Sequence, residues 1–217
     1  MHRFFLSTTA TFALLAASTA NAEFQFGGRL GTAGLGIEAT QRFSPDFEAR
    51  LGFSGLRYKV DLTYDDVDYK VEQGASIGSL LLDWHPGSGI FRLTAGAAYY
   101  NSIFNMTANP AAGTNYQIGN TTYTGAQIGT LNGKIEYRKP APYVGIGWDF
   151  MANKSSGFGV TVDVGVIYRG EPDDVTLTAS GGTTTISSAA LMLEEQNVKD
   201  DSLTYHPVVS AGLYYRF

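Results

Sequence analysis

The sequence predicts an all-β fold, a closed antiparallel barrel that crosses a membrane, and three observations predict it. Strand-forming residues dominate: 26 glycines, 13 tyrosines and 13 phenylalanines stand in a chain that is only 16% charged, a mixture that weakens helices and suits strands. Segments of roughly ten residues alternate apolar positions with small or charged ones and carry aromatics at their ends. After residue 22 no run of about 18 apolar residues occurs, so no transmembrane helix is expected.

The first residues are expected to be removed. "MHRF" gives a positive start, "FLSTTATFALLAAST" an apolar stretch too short to anchor, and "ANA" a small-residue cleavage site at Ala22. Residues 1–22 therefore read as a secretory signal peptide and 23–217 as a single barrel domain. Loss of Arg3 leaves 14 basic against 20 acidic residues, a net of −6, which argues against nucleic acid and against a globally basic lipid-binding face. With no cysteine, disulfides, thiolate zinc sites and cysteine nucleophiles are excluded. No metal or cofactor site is expected.

The alternation is clear in five segments. "FEARLGFSG" sets Phe47, Ala49, Leu51 and Phe53 against Glu48, Arg50, Gly52 and Ser54. "FRLTAGAAYY" sets Phe91, Leu93 and Tyr99 against Arg92, Thr94 and Gly96, and "YVGIGWDF" sets Ile146 and Trp148 against Gly147 and Asp149. "FGVTVDVGVIYR" is the most regular: Phe158, Val160, Val162, Val164, Val166 and Tyr168 share one face, with Asp163 and Arg169 on the other. "VVSAGLYYRF" places Leu213, Tyr215 and Phe217 opposite Gly212, Tyr214 and Arg216. A soluble β-sandwich or lipocalin-like barrel also alternates. Here the polar phase is rich in glycine and in opposite charges, which suits a packed interior, so the apolar phase is assigned to lipid. Closure then satisfies the backbone in hydrocarbon.

Turn signals fall at "FSPDF", "YDDV", "HPGSG", "RKPAP", "MANKSSG" and "RGEPDD". Residues 105–127 and 180–202 are expected as loops, the second holding one short helix over Ser187–Lys199, capped by Ser187 or Ser188 and lying as a plug or lid. The strand count turns on "RKPAP". If "KIEYRKPAPYVGIGWDF" is one long strand, residues 34–217 hold eight. If "RKPAP" turns, "FQFGGRL" is needed to reach ten, with "WHPGSG" and "RGEPDD" periplasmic and "MANKSSG" outside. Eight is favoured and ten stays open.

The final strand resembles the signal on which bacterial outer-membrane barrels end, with Leu213, Tyr215 and Phe217 as the residues that the barrel-assembly machinery would read. The ordered motifs "GTAGLG", "AGAAYYNS", "IEYRKPAPYVGIGW", "DVGVIYRGEPDDVTLT" and "EEQNVKDD" resemble the CarO-type ornithine-uptake outer-membrane proteins; single glycine–aromatic alternations are shared with OmpW-type and OmpA-type barrels. The resemblance implies a monomeric eight-stranded barrel in the outer membrane of a Gram-negative cell, associated with uptake of small basic amino acids. It carries over no individual site residue.

Turning the polar phase inward collects Glu38, Arg42, Glu48, Arg50, Arg92, Asp149, Asp163, Arg169 and Arg216 as a candidate lumen charge network. Unpaired charges there would cost several kcal/mol each, so ion pairing is expected. The network leaves two functions open: a narrow channel for small hydrophilic solutes, or a closed barrel serving structure or surface interaction. Acids at the segment ends (Asp65, Asp66, Asp68, Asp173, Asp174, Asp200 and Asp201) read as solvated loop tips. Catalysis is not expected: of the two histidines after residue 22, His85 falls in the "WHPGSG" turn and His206 precedes Pro207 at the start of the last strand.

Overall fold

A computed structural model describes residues 23–64, 67–152 and 154–217. The expected signal peptide, Asp65 and Asp66 lie outside the described residues. The strands are β1 (Glu23–Gly31), β2 (Gly34–Arg42), β3 (Phe47–Tyr64), β4 (Val67–Trp84) and β5 (Phe91–Pro110). A short hairpin, β6 (Asn115–Ile118) and β7 (Thr121–Thr124), leads through a single helical turn, α1 (Gly125–Ile128), into β8 (Gly129–Asp149). Then come β9 (Gly157–Tyr168), β10 (Asp174–Gly181), α2 (Ser188–Asp200) and β11 (Tyr205–Arg216).

Each strand pairs antiparallel with its neighbours in the cyclic order β1–β2–β3–β4–β5–β8–β9–β11, and β11 pairs back onto β1 from Gln25↔Arg216 to Gly31↔Ser210. The sheet closes as eight staves. The seventh is made of two pieces: β9 pairs with Tyr143–Asp149 of β8, and β10 continues the same direction along Gly129–Glu136.

That break accounts for three turn assignments that the fold overturns. "RKPAP" is continuous strand within β8. On that side, β8 has no ladder partner between Glu136 and Tyr143, and proline is tolerated where a strand offers a free edge. "RGEPDD" is the detour between β9 and β10, turned by Gly170 at φ +64°, and not a turn at the Phe217 end. "MANKSSG" joins β8 to β9 at the same end as "FSPDF" and "HPGSG", beside Phe217, and not on the opposite side. The stave count is eight, but its members differ from the favoured parse: β1 is the first stave, and β10 completes the seventh instead of standing alone.

Outward positions form an apolar band. On β9, Phe158 to Tyr168 spans ten steps of about 3.3 Å at a tilt of about 40°, a rise of about 25 Å, the height of an outer-membrane hydrocarbon core. Aromatics rim it at the turn end, where Phe158 meets Tyr215 at 5.1 Å, Tyr215 meets Phe217 at 5.0 Å and Phe91 meets Trp148 at 6.0 Å. Phe53 and Tyr99, with the Tyr168–Tyr205 pair at 5.2 Å, rim it at the loop end. Among the described residues no helix is long and apolar enough to cross a membrane; the strands do so.

Candidate functional site

The inward phase of the strands fills the lumen in two layers. Near the turn end the layer is ionic. Asp163 on β9 accepts from Arg92 Nη2 at 2.9 and 3.0 Å and from Arg50 Nη1 at 3.3 Å. Arg50 also lies 2.6 Å from Asp83 and 3.5 Å from Glu38. Arg92 donates to Glu48 at 3.2 Å, and Glu48 is flanked by Arg42 at 3.3 Å and His85 Nε2 at 3.2 Å. Arg216 holds Asp149 at 2.9 Å and donates to the Met151 and Lys154 carbonyls at 2.7 Å each. Arg29 bridges Glu38 at 3.0 Å and Ser210 at 2.8 Å. Eight strands, β1 to β5 with β8, β9 and β11, supply these groups.

Glu48, Asp83, His85, Asp149 and Arg216 are 0% exposed, and Arg50 and Arg92 are 1%. Six acids (Glu23, Glu38, Glu48, Asp83, Asp149 and Asp163) face five arginines (Arg29, Arg42, Arg50, Arg92 and Arg216), with His85 against Glu48, so opposite charges are closely matched. The void among Gln25, Arg29, Glu38, Thr40, Arg92 and Thr161 is about 10 Å³, at the lower limit for one water molecule.

Above it the layer is apolar and aromatic: Ile77, Leu81, Ala98, Tyr100, Tyr137, Tyr143, Ile167 and Val208 form one buried cluster. The glycines of the inward phase make room for tyrosine rings. A Cβ at Gly165 would lie 2.4 Å from the Tyr143 hydroxyl, and one at Gly159 would lie 2.3 Å from Tyr214 Cζ. Tyr214 in turn donates to Asp149, within the ionic layer. Glycine in these strands is therefore a packing requirement.

At the loop end Arg169 occupies an aromatic seat. Its guanidinium carbon lies 4.3 Å from the Tyr137 ring centroid, 5.5 Å from Tyr100 and 5.9 Å from Phe104. Its Nη1 donates to the Tyr100 hydroxyl and its Nε to the Leu203 carbonyl, both at 3.1 Å. Over this sits a second apolar cluster of Ile118, Tyr123, Ile128, Ile186 and Ala190. Helix α2, with Ser187 Oγ accepting from Ala190 N at 3.2 Å as its cap, packs on β10 and β6. Two of its acids pin it: Glu195 accepts from Leu177 N at 2.7 Å on the free edge of β10, and Glu194 accepts from Gly119 N at 2.9 Å. Those bonds satisfy backbone donors that an edge would otherwise leave open. The helix thus braces the free edge of β10.

No family model matches the chain, nor does any curated protein. Solved structures do. Acinetobacter baumannii CarO superposes with a TM-score of 0.63 at 24% identity, covering 89% of this chain and 97% of CarO. Acinetobacter baumannii CarO2 superposes at 0.67 and 22%, covering 90% and 98%. The chain has the CarO fold. The resemblance carried by the sequence motifs thus holds at the level of the eight-stranded outer-membrane barrel.

On this CarO-type barrel the inward residues expected from the sequence fall in two places. Glu38, Arg42, Glu48, Arg50, Arg92, Asp149, Asp163 and Arg216 join one ionic layer. Arg169 does not: it keeps the inward phase of Asp163 but lies six residues further along the stave, where it stands apart among rings. Asp83, His85 and Arg29 were missed. "SLLLDW" hides its alternation behind consecutive leucines, and "FGGRLG" offers few apolar positions from which to read a phase. Leu213, Tyr215 and Phe217 all point to lipid, and Phe217 also closes onto β1 through its amide, 3.0 Å from the Phe24 carbonyl. Neither histidine has a serine hydroxyl within hydrogen-bond distance among the described residues.

Proposed function

We propose that this CarO-type outer-membrane barrel is closed to solutes and acts through its loop end, where β6, β7 and α2 form a braced platform above a sealed lumen. The observation that carries this is the densely ion-paired layer, where the void among Gln25, Arg29, Glu38, Thr40, Arg92 and Thr161 is about 10 Å³. Passage of any solute would require several buried charge pairs to separate together, and uncompensated buried charge is strongly unfavourable. Liposome swelling tests it with ornithine, arginine, glycine and an uncharged sugar. The reading expects rates equal to protein-free liposomes, and swelling above that background overturns it.

One observation favours a second reading, uptake of small basic amino acids. The ring seat around Arg169 has the chemistry that recognises a guanidinium or ammonium group, so Arg169 would act as a tethered occupant of a cation site. On that reading ornithine and arginine swell liposomes faster than glycine or sugar, and Arg169→Ala increases the difference. Equal rates for all solutes remove it. We further propose that the outward row Leu213, Tyr215 and Phe217 is what the assembly machinery engages; Phe217→Ala should lower the yield of folded barrel in cells while leaving refolding into detergent unchanged.

A further inference from the structure

We propose that the face formed by β3, β4, β5 and β8 holds a phosphorylated glycolipid of the loop-end leaflet, an acyl chain lying in a groove and two phosphates resting on basic clusters above it. The groove opens toward lipid and has a volume of about 600 Å³. Two neighbouring rows of outward positions make it, one running from Pro140 through Tyr99, Gly78 and Phe53 to Ile37 on β2, and it ends at Phe26 on β1. Gly78 forms its floor, since an added Cβ there would meet no atom within 4 Å.

The sheet register fixes what lies above. One row toward the loops, Gly55, Ser76, Asn101 and Arg138 stand side by side; the next two rows bring Arg57 with Glu136, then Lys59 with Glu72 and Lys134. Four of the outward cations fall into two groups, Arg57 with Lys59 on β3 and Arg138 with Lys134 on β8, all exposed. Glu72 pairs with Lys59, and Glu136 pairs with Lys134 and, at 3.2 Å, with Arg138. With Lys70 and Asp61 facing each other in the row above and Asp174 beside Glu136, five cations stand against four acids, a single net positive charge on a chain whose net charge is negative.

Spacing selects the ligand class. From β3 to β8 is three inter-strand steps, about 14 Å. A disaccharide phosphorylated at both ends bridges such a gap, and a single glycerophosphate headgroup does not. Arginine offers phosphate a charge-assisted, two-pronged contact, and the groove directly below accepts the chain that such a lipid carries. The inference rests on the membrane-spanning reading and is independent of whether the lumen conducts.

The test uses the folded barrel in nanodiscs of zwitterionic phospholipid doped with diphosphorylated lipid A, monophosphorylated lipid A or phosphatidylglycerol at equal mole fraction, with retained lipid counted by native mass spectrometry. One diphosphorylated lipid should be retained per barrel, in preference to the other two. Arg57→Gln combined with Arg138→Gln should lower that retention about thirtyfold. Gly78→Leu, whose Cβ would meet no atom within 4 Å, should also lower it while the heat-dependent shift in gel migration typical of a folded barrel stays intact. Equal retention of phosphatidylglycerol, or unchanged retention in either variant, overturns the proposal. Absence of the migration shift in the unmodified protein would instead sink the barrel reading itself.

Discussion

Replacing Asp163 by asparagine removes one charge from the centre of the ionic layer at almost constant volume. The Asp163 oxygens take four contacts, from Arg92 at 2.9 and 3.0 Å and from Arg50 at 3.3 Å twice. Asparagine keeps one acceptor and sets an amide NH2 against a guanidinium, donor against donor. Arg50 retains Asp83 at 2.6 Å and Arg92 retains Glu48 at 3.2 Å. Breaking a buried pair costs about 3–5 kcal/mol, and these remaining partners place the variant near the lower end, about 3 kcal/mol. Urea unfolding in phospholipid vesicles, followed by the fluorescence of Trp84 and Trp148, should show the midpoint fall with an unchanged slope. A loss below about 0.5 kcal/mol, the level of an ordinary surface substitution, would refute the coupling of these charges. Asp163→Leu with Arg92→Met should be less damaging than Asp163→Asn, because no donor is left facing another.

Three further outcomes follow from other contacts. Gly159→Ala should destabilise the barrel by about 1–3 kcal/mol, and in a Tyr214→Ala background the same change should be silent, because all three nearest atoms belong to that ring. Glu195→Ala should free the amide of Leu177, raising its hydrogen exchange and the protease sensitivity of residues 182–204 while strands β1 to β5 stay protected. Arg169→Leu should cost about 2 kcal/mol through the lost cation–ring contacts, with no change in the exchange of β3 or β11.

The staves were legible because a medium that is apolar outside and a lumen that is crowded inside together enforce a period of two. "FGVTVDVGVIYR" shows that period without interruption, and every outward residue in it lies on the lipid side. Legibility failed where local signals compete with tertiary pairing. Pro140 and Pro142 look like a turn, yet they sit in strand beside a gap that only the detour of residues 169–173 creates. Asp83 was invisible because leucine occupies both phases of "SLLLDW", one face buried in the lumen and the other in lipid. The β6–β7 hairpin does alternate, Tyr116 and Ile118 against Asn115 and Gln117, but over four residues a strand, too short to stand out from the loop around it. Helix α2 was readable from its Ser187 cap. Its role as a brace was not, since that depends on Glu195 meeting the edge of a strand that the sequence does not place beside it.

The assignment of the two faces bears all of this. The chain has no cysteine, so a spin label can be placed singly at each position from 158 to 168 and its collision rate with oxygen, which concentrates in lipid, measured in vesicles. The account predicts a saw-tooth with maxima at Phe158, Val160, Val162, Val164, Val166 and Tyr168. Maxima at Gly159, Thr161, Asp163, Gly165 and Ile167, or a profile with no period of two, would contradict it.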